Sequence, residues 1–379
     1  MKLVACSIHA LAIPFVEAFR HSLKDRTSCD SVIVHVVDDA GNEGYGEGAP
    51  RPYVTGERQD SMVEHLARDL WPAVKERLFP PIHEPADLAA LDAFIPERPF
   101  PNALSDNASR AALELAILDR ALRRDGRGAA ALLPPRRDKV VYSGVITAGT
   151  IEKALQHAKQ MRMIGLAQVK VKVGFPDDLE RVAAVREALG PDASIRLDAN
   201  GAWAVGEAAE RLAALSLHRI DAVEQPIPRG PVEDLARLKS LQPVPIMADE
   251  SLVTIADARA LAAARAVDLF NIRVSKCGGL FRSMEIARIA ECAGIRVQVG
   301  AQVGETAILS AAGRHLAAAV PNLAFAEGSF GTLLLSDDLA RDAVRFGYRG
   351  EARLLSGPGF GARIVMEHVR KWSARTIEV

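Results

Sequence analysis

Five ionisable residues recur in the second half of this sequence at nearly constant spacing. Lys172, Asp198, Glu224, Asp249 and Lys276 stand 26, 26, 25 and 27 residues apart. A step of that size is one strand plus one helix, so each residue falls at the C-terminal end of a successive βα unit. In a closed parallel barrel those strand ends meet at one mouth, and side chains distant in sequence become neighbours. A single acid at a strand end ordinarily caps the next helix or meets an arginine. Three in one register point elsewhere: Asp198, Glu224 and Asp249 offer hard oxygen donors suited to magnesium, with manganese as its common substitute.

Lys170 and Lys172 lie at i and i+2 in Gln168-Val169-Lys170-Val171-Lys172-Val173, so both point to one side of a strand and the valines to the other. The valines suit the helix-facing side, which turns the lysines into the barrel. Partial burial and cationic neighbours draw an ammonium pKa down toward the working pH, and Lys172 becomes a candidate base. Lys276 sits in Val274-Ser275-Lys276-Cys277-Gly278-Gly279, four strands on from Lys172. It is expected across the mouth, so that one lysine removes a proton and the other returns it. This kit suits a carbon acid beside a carboxylate, whose conjugate base crowds two negative charges onto one small group. A cation acting as Lewis acid offsets several kcal/mol of that cost, and lysines add charge and proton transfer. Neither G-x-S-x-G nor H-E-x-x-H occurs.

The elements that must position these residues follow from the apolar rhythm. Strand-like runs at 140–146, 168–173, 194–198, 221–224, 245–249, 268–274, 296–299 and 323–326 alternate with amphipathic helical runs, which predicts a parallel eight-strand barrel. Before it, residues 31–37 and 43–48 flank the turn-forming Asp38-Asp39-Ala40-Gly41-Asn42 as a hairpin. Helices are expected over 58–76, 86–93 and 105–124, the last with Ala108, Ala111, Ala112, Leu115 and Leu118 on one face. The fold class read from this is α/β, a (β/α)7β TIM-like barrel with an N-terminal α+β capping domain. The expected divisions are 1–137 for the cap, 138–330 for the barrel with the metal site, and 331–379 for a segment folding back onto the cap.

With 47 basic and 48 acidic residues, no basic block and no aromatic–basic interleaving, nucleic acid is a poor partner. No stretch approaches the length of a membrane span. The apolar start, Leu3-Val4-Ala5, is broken by Ser7 and His9 and reads as a first strand rather than a secretory leader. Cys6, Cys29, Cys277 and Cys292 form no C-x-x-C pair, which favours a reducing cytoplasm.

Together the motifs resemble the enolase superfamily: Gly44-Tyr45-Gly46-Glu47, Lys170-Val171-Lys172, Asp198-Ala199-Asn200, Glu224-Gln225-Pro226, Ala248-Asp249-Glu250-Ser251 and Lys276-Cys277-Gly278-Gly279. Within it the K-x-K motif and a lysine after strand six are similar to the muconate lactonizing (muconate cycloisomerase) subgroup. The mandelate racemase subgroup carries a histidine near strand seven, where this chain has Val297-Gln298-Val299-Gly300. The resemblance implies Lys172 and Lys276 as the acid/base pair, Lys170 as the residue tuning Lys172, and Asp198, Glu224 and Asp249 on magnesium. It further implies Glu250 as a partner of a lysine, Asn200 as a polar contact at the mouth, and Gln298 as a supporting or substrate contact. The expected activity is that of an isomerase, a cycloisomerase or a racemase/epimerase of an amino-acid derivative. The alternatives are a lyase of the same superfamily (an o-succinylbenzoate synthase or acid-sugar dehydratase) or a non-catalytic binding barrel. A small carboxylate substrate and a homo-oligomer are implied as partners. Dipeptide epimerases carry Asp-x-Asp after strand eight; Ala326-Glu327-Gly328-Ser329 departs from this and leaves Glu327 as a lone candidate for a substrate cation. Specificity is expected from capping loops at 19–30, with His21, Lys24 and Arg26, and at 51–56, with Tyr53.

Overall fold

The computed structural model describes residues 2–19, 26–98, 100, 103–147 and 149–379. Its N-terminal part is organised by one antiparallel sheet. β1 (Leu3–Leu11) lies at its centre, followed by a separate hairpin of β2 (Pro14–Phe19) and β3 (Arg26–Ser28), and then by β4 (Val32–Asp38) and β5 (Glu43–Gly48). The β4–β5 hairpin forms where the turn chemistry predicts it. Asp38 Oδ1 accepts from the N–H groups of Ala40 (2.9 Å) and Asn42 (2.8 Å), so a side chain supplies the bonds of the turn. The C-terminal strand Ser373–Glu378 pairs with the other side of β1, completing the first sheet with the end of the chain.

The helix expected over 58–76 runs as α1 (Gln59–His65), a π turn (Leu66–Leu70) and α2 (Trp71–Val74). The widening falls just before Pro72, which has no N–H to give the helical ladder. α3 (Asp87–Phe94) and α4 (Asn107–Arg124) follow. α4 differs from the one-faced helix that its alanines predict, because every residue from Asn107 to Leu122 is buried. It is clamped between the cap sheet and the barrel, and its charged side chains find partners inside: Arg110 meets Asp92 at 2.8 Å and Arg120 meets Asp38 at 3.3 Å. Gly44, Gly46 and Gly48 on β5 make the close approach possible. A Cβ at Gly46 would stand 1.9 Å from the Ala112 carbonyl oxygen.

The barrel begins one step later than the apolar run at 140–146 predicts. That run splits at Tyr142, whose N–H bonds to Gly350, and Ser143, whose N–H bonds to Ala326. β6 (Lys139–Val141) therefore pairs outside the barrel, antiparallel to the late strand Glu351–Arg353. Barrel strands are β7 (Gly144–Ile146), β8 (Gln168–Lys172), β9 (Ser194–Asp198), β10 (Ile220–Glu224), β11 (Ile246–Ala248), β12 (Leu269–Ile272), β13 (Arg296–Val299) and β14 (Leu323–Ala326). They pair in parallel in sequence order, and the 2.9 Å Ser143–Ala326 bond joins the two ends of the sheet. Seven helices connect them: α5 (Ile151–Met163), α6 (Asp178–Leu189), α7 (Val205–Leu215), α8 (Val232–Leu241), α9 (Ile255–Ala263), α10 (Leu280–Cys292) and α11 (Ala307–Ala319).

Buried carboxylates pin the cap to the barrel. Glu47 of β5 accepts from the Thr306 and Leu309 N–H groups at the start of α11, and Glu114 of α4 accepts from Leu280 N–H at the start of α10. A carboxylate at a helix N-terminus uses donors that lack intrahelical partners and faces the positive end of the helix dipole. No described helix is long and apolar enough to cross a membrane. The four cysteines are free thiols.

Candidate active site

Strand parity decides which side chains enter the barrel mouth. On β8 the valines 169 and 171 pack outward into the core while Lys170 and Lys172 turn inward, as the alternation predicts. Lys172 Nζ donates to Asp198 Oδ2 at 2.6 Å and to Asn200 Oδ1 at 2.7 Å. Asn200 passes the chain on through its Nδ2 to Glu250 Oε1 at 3.1 Å. Lys170 Nζ reaches three carboxylates: Glu327 Oε2 at 2.6 Å, Asp198 Oδ2 at 3.2 Å and Glu224 Oε2 at 3.3 Å.

The third basic position is not the one the spacing chose. Lys276 is 1% exposed, and its Nζ donates to Asp249 Oδ1 (2.7 Å), the Asp249 carbonyl (2.8 Å) and the Asn271 carbonyl (2.7 Å). It sits in the turn beyond β12, behind Asp249, with its own carbonyl accepting from Asn107 of the cap at 2.7 Å. An ammonium has three donors, and all three are engaged away from the cavity. The inward positions around the end of β12 are Asn271 and, two residues on, Arg273. Arg273 lines the cavity, and its Nη2 bridges Glu224 Oε1 (2.9 Å) and Asp249 Oδ2 (2.5 Å). Counting forward from Asp249 to Arg273 gives 24 residues rather than 27. Residue type and spacing point to the lysine; parity of the strand points to the arginine.

The cavity over this mouth has a volume of about 400 Å³. Lys170, Lys172, Asn200, Glu250, Arg273, Gln302 and Glu327 form its polar end; Val145, Ala301, Val303, Phe330, Leu333 and Leu334 line its apolar walls. Val16 and Glu17 of β2 and Tyr53 of the cap reach its rim. A stripe on α5, Lys153, Gln156, His157 and Gln160, completes the lining. This stripe gave no signal in the sequence, since polar residues at helical spacing read as a solvated face. Of the loop at 19–30, His21 and Lys24 lie outside the described residues. Arg26 is buried against Asp30, as is Arg51, and neither lines the cavity.

Electrostatics separates the carboxylates. Burial alone would raise Asp198, but the Lys172 and Lys170 ammoniums outweigh it and hold that carboxyl below its ordinary range. Burial of Asp249 is likewise outweighed, by Arg273 and Lys276. Glu224 is raised, by burial and then by repulsion from Asp198, although it accepts from Lys170, Arg273, Asn271 and Gln298. Glu250 is pushed up to about 8 by burial, then by Asp249 and Asp198, and its Oε2 has no partner. The lysine expected to pair with Glu250 does not; Asn200 stands between them. Gln298 is fully buried and serves Glu224 (3.1 Å) rather than the cavity. Glu327, expected to await a substrate cation, is taken by Lys170 and by Arg196 (2.8 Å), an inward arginine that lies over the Phe325 ring. Burial would raise Glu327, and those two cations lower it instead.

Asp198, Glu224 and Asp249 thus share one mouth, but among the described residues no three acids, histidines or cysteines form a ready cage around one point. The oxygens face nitrogens of Lys170, Lys172, Arg273 and Lys276. The donor chemistry fits a divalent cation even so: three hard oxygen ligands stand on consecutive strands, and Glu224 is raised by burial and then by repulsion from Asp198.

A family model described as "Enolase C-terminal domain-like" matches residues 153–368. The chain belongs to the enolase superfamily. It is 34% identical to a hydrophobic dipeptide epimerase of Enterococcus faecalis, over 86% of this chain and 90% of that one. It is 31% identical to muconate cycloisomerase 1 of Rhodococcus opacus, over 98% and 99%. Among solved structures, a dipeptide epimerase from Cytophaga hutchinsonii in complex with magnesium and the dipeptide D-Ala-L-Val superposes with a TM-score of 0.88, at 26% identity and 100% coverage of both chains. These superfamily relatives are isomerases, and so is this chain; its barrel and cap match theirs, and muconate cycloisomerases stand beside epimerases among its relatives.

Proposed function

We propose that this enzyme is a magnesium-dependent isomerase that removes the proton α to a substrate carboxylate, with Lys172 as the base and an acyclic diacid or its lactone as the substrate class. The supporting observation is the placement of Lys172 at the cavity wall, its Nζ held 2.6 Å from Asp198 and 2.7 Å from Asn200, with Asp198 linked to Glu224 through Lys170 and Glu224 to Asp249 through Arg273. A divalent cation would be held by Asp198, Glu224 and Asp249. When bound it supplies Lewis-acid stabilisation of the developing carboxylate dianion.

The chain's own groups do the rest. Lys172 accepts the α-proton, and the Asn200–Glu250 chain fixes the direction of its Nζ. Lys170 bridges Asp198, Glu224 and Glu327 and offsets part of their charge, keeping the wall behind Lys172 compact. Arg273 brings positive charge to the substrate's other side, and the apolar walls exclude water around the reacting carbon. Pairing of Glu327 with Lys170 and Arg196 disfavours a substrate ammonium at that position and supports the cycloisomerase reading over dipeptide epimerisation. The test is deuterium incorporation at the α-carbon of muconolactone, N-acetyl-L-phenylalanine and L-Ala-L-Val in D2O with magnesium. Exchange that requires both the metal and Lys172 is expected, fastest for the lactone. Carboxylate binding with neither exchange nor a metal requirement would favour the non-catalytic barrel.

A further inference from the structure

We infer that proton transfer in this enzyme is confined to the Lys172 face of the substrate, with Arg273 as a fixed cation and not a second base on the opposite face. The inference rests on the proposed α-deprotonation and narrows it to reactions that touch the α-carbon from one side.

The geometry is that of an eight-strand barrel. Lys172 ends β8 and Arg273 directly follows β12, four strands away in the sheet, so the two side chains enter one cavity from opposing walls. Among the described residues, each other basic group near the mouth is either on the Lys172 side or withdrawn. Lys170 shares the inward face of β8 with Lys172 and is engaged by three carboxylates. Lys153 and His157 belong to α5, the helix leading into β8, and Lys153 is turned toward Glu17 at 3.6 Å. Lys276 is sealed behind Asp249. On the wall facing Lys172 the basic residue is Arg273, and a guanidinium has only donors and no accessible base form.

Arg273 is also held as a cation holder rather than as a mobile acid. Nη2 spans Glu224 and Asp249, Nη1 donates to Gln302 Oε1 at 3.1 Å, and Nε is buried without a partner.

The chemistry balances without a second base. Lys172 as the amine takes the α-proton, and the C–H electron pair becomes part of the enediolate. That pair either recaptures the same proton on the same face or expels a β-oxygen, forming the Cα=Cβ bond while the proton stays on Lys172. The reverse sequence closes a ring by adding a carboxylate oxygen to the alkene and delivering the proton from Lys172. Inversion at the α-carbon needs a donor on the other face, and among the described residues no basic side chain of this cavity offers one there.

The experiment follows N-acetyl-L-phenylalanine, L-Ala-L-Val and muconolactone, each of single configuration, in D2O with the magnesium-loaded full chain. NMR reads α-exchange and chiral chromatography reads configuration. Exchange at least tenfold faster than inversion is expected, and the Arg273→Lys variant, checked for folding by its melting curve, should gain inversion. Wild-type inversion at a rate comparable to exchange would overturn the inference while leaving α-deprotonation standing. Absence of exchange from every probe would overturn the deprotonation reading and the inference with it. A readout independent of turnover is calorimetric binding of muconate without metal. Arg273→Met should weaken it at least tenfold, and unchanged affinity would remove Arg273 from the substrate's oxygens.

Discussion

Replacing Lys276 by methionine separates two lysines that the spacing makes look alike. Lys276 is 1% exposed and gives its three N–H bonds to Asp249 Oδ1 and two carbonyl oxygens. Removing it leaves a buried carboxylate with one cation fewer and takes one donor from each of two carbonyls; breaking a buried pair in this way costs about 3–5 kcal/mol. With an unfolding entropy of about 2.1 cal/mol/K per residue, roughly 0.8 kcal/mol/K for a chain of this length, the melting temperature should fall by about 4–6 °C. Lys172→Ala should behave in the opposite way. Lys172 faces the cavity, water can replace its contacts, and Asp198 keeps Lys170 at 3.2 Å, so the melt should move by no more than about 1–2 °C. Loss of the general base should then cost about 10²–10⁴ in α-exchange rate. Thermal melts and exchange rates on the two variants give a crossed pattern. A stable Lys276→Met with exchange abolished, alongside an active Lys172→Ala, would refute both the parity argument and the assignment of the base.

Glu250, pushed up to about 8, binds a proton in the folded state that the unfolded chain loses near the ordinary glutamate value. Because the native state then holds more protons, stability falls as pH rises between those two values, and Glu250→Gln should flatten the slope of melting temperature against pH between 5 and 8 in EDTA; an unchanged slope would show that Glu250 does not contribute to it. Gly46→Ala would place a Cβ 1.9 Å from Ala112 O and 2.5 Å from Ala116 N, both backbone atoms of α4. Denaturant titration should show a loss of about 1–3 kcal/mol, and an unaffected midpoint would mean that α4 has room to retreat. Magnesium at about a hundred times its dissociation constant should stabilise the wild type by about 2.7 kcal/mol, roughly 3 °C here, and this shift should vanish in Asp198→Asn; an equal shift in both would place the ion elsewhere.

The barrel was legible because short strands of three to five residues with apolar side chains recur at one period, and because buried strands need their outward faces apolar. Ser194–Asp198, Arg296–Val299 and Leu323–Ala326 match the expected bounds to the residue. The first strand was misplaced for a tertiary reason: Tyr142 and Ser143 each give an N–H to a different partner, and no local propensity encodes that. The burial of α4 on all sides was hidden similarly, since Arg110, Glu114 and Arg120 read as a solvated face until the cap and barrel supply their partners. At the site, type and spacing point to the acids, and type and parity to the β8 lysines. Type and spacing also point to Lys276, which lies behind Asp249 and away from the cavity.

That placement bears on how charge is distributed in the mouth. Five carboxylates (Asp198, Glu224, Asp249, Glu250 and Glu327) face five cations (Lys170, Lys172, Arg196, Arg273 and Lys276). All five cations contact acids in buried pairs, Lys172 through Asp198 at 2.6 Å, and a buried pair adds little net stability. Lys172 alone combines a cavity-facing Nζ with a neutral partner, Asn200, that leaves its direction fixed without adding a further negative charge. A base needs that combination: enough contacts to be aimed, and few enough charges that giving up its proton is not opposed on every side. The same reasoning excludes Lys170, which three carboxylates hold above the ordinary lysine range against the opposing effect of burial. The proposed assignment of the base to Lys172 rests on what surrounds each lysine, and a lysine at the right spacing is only the place to begin looking.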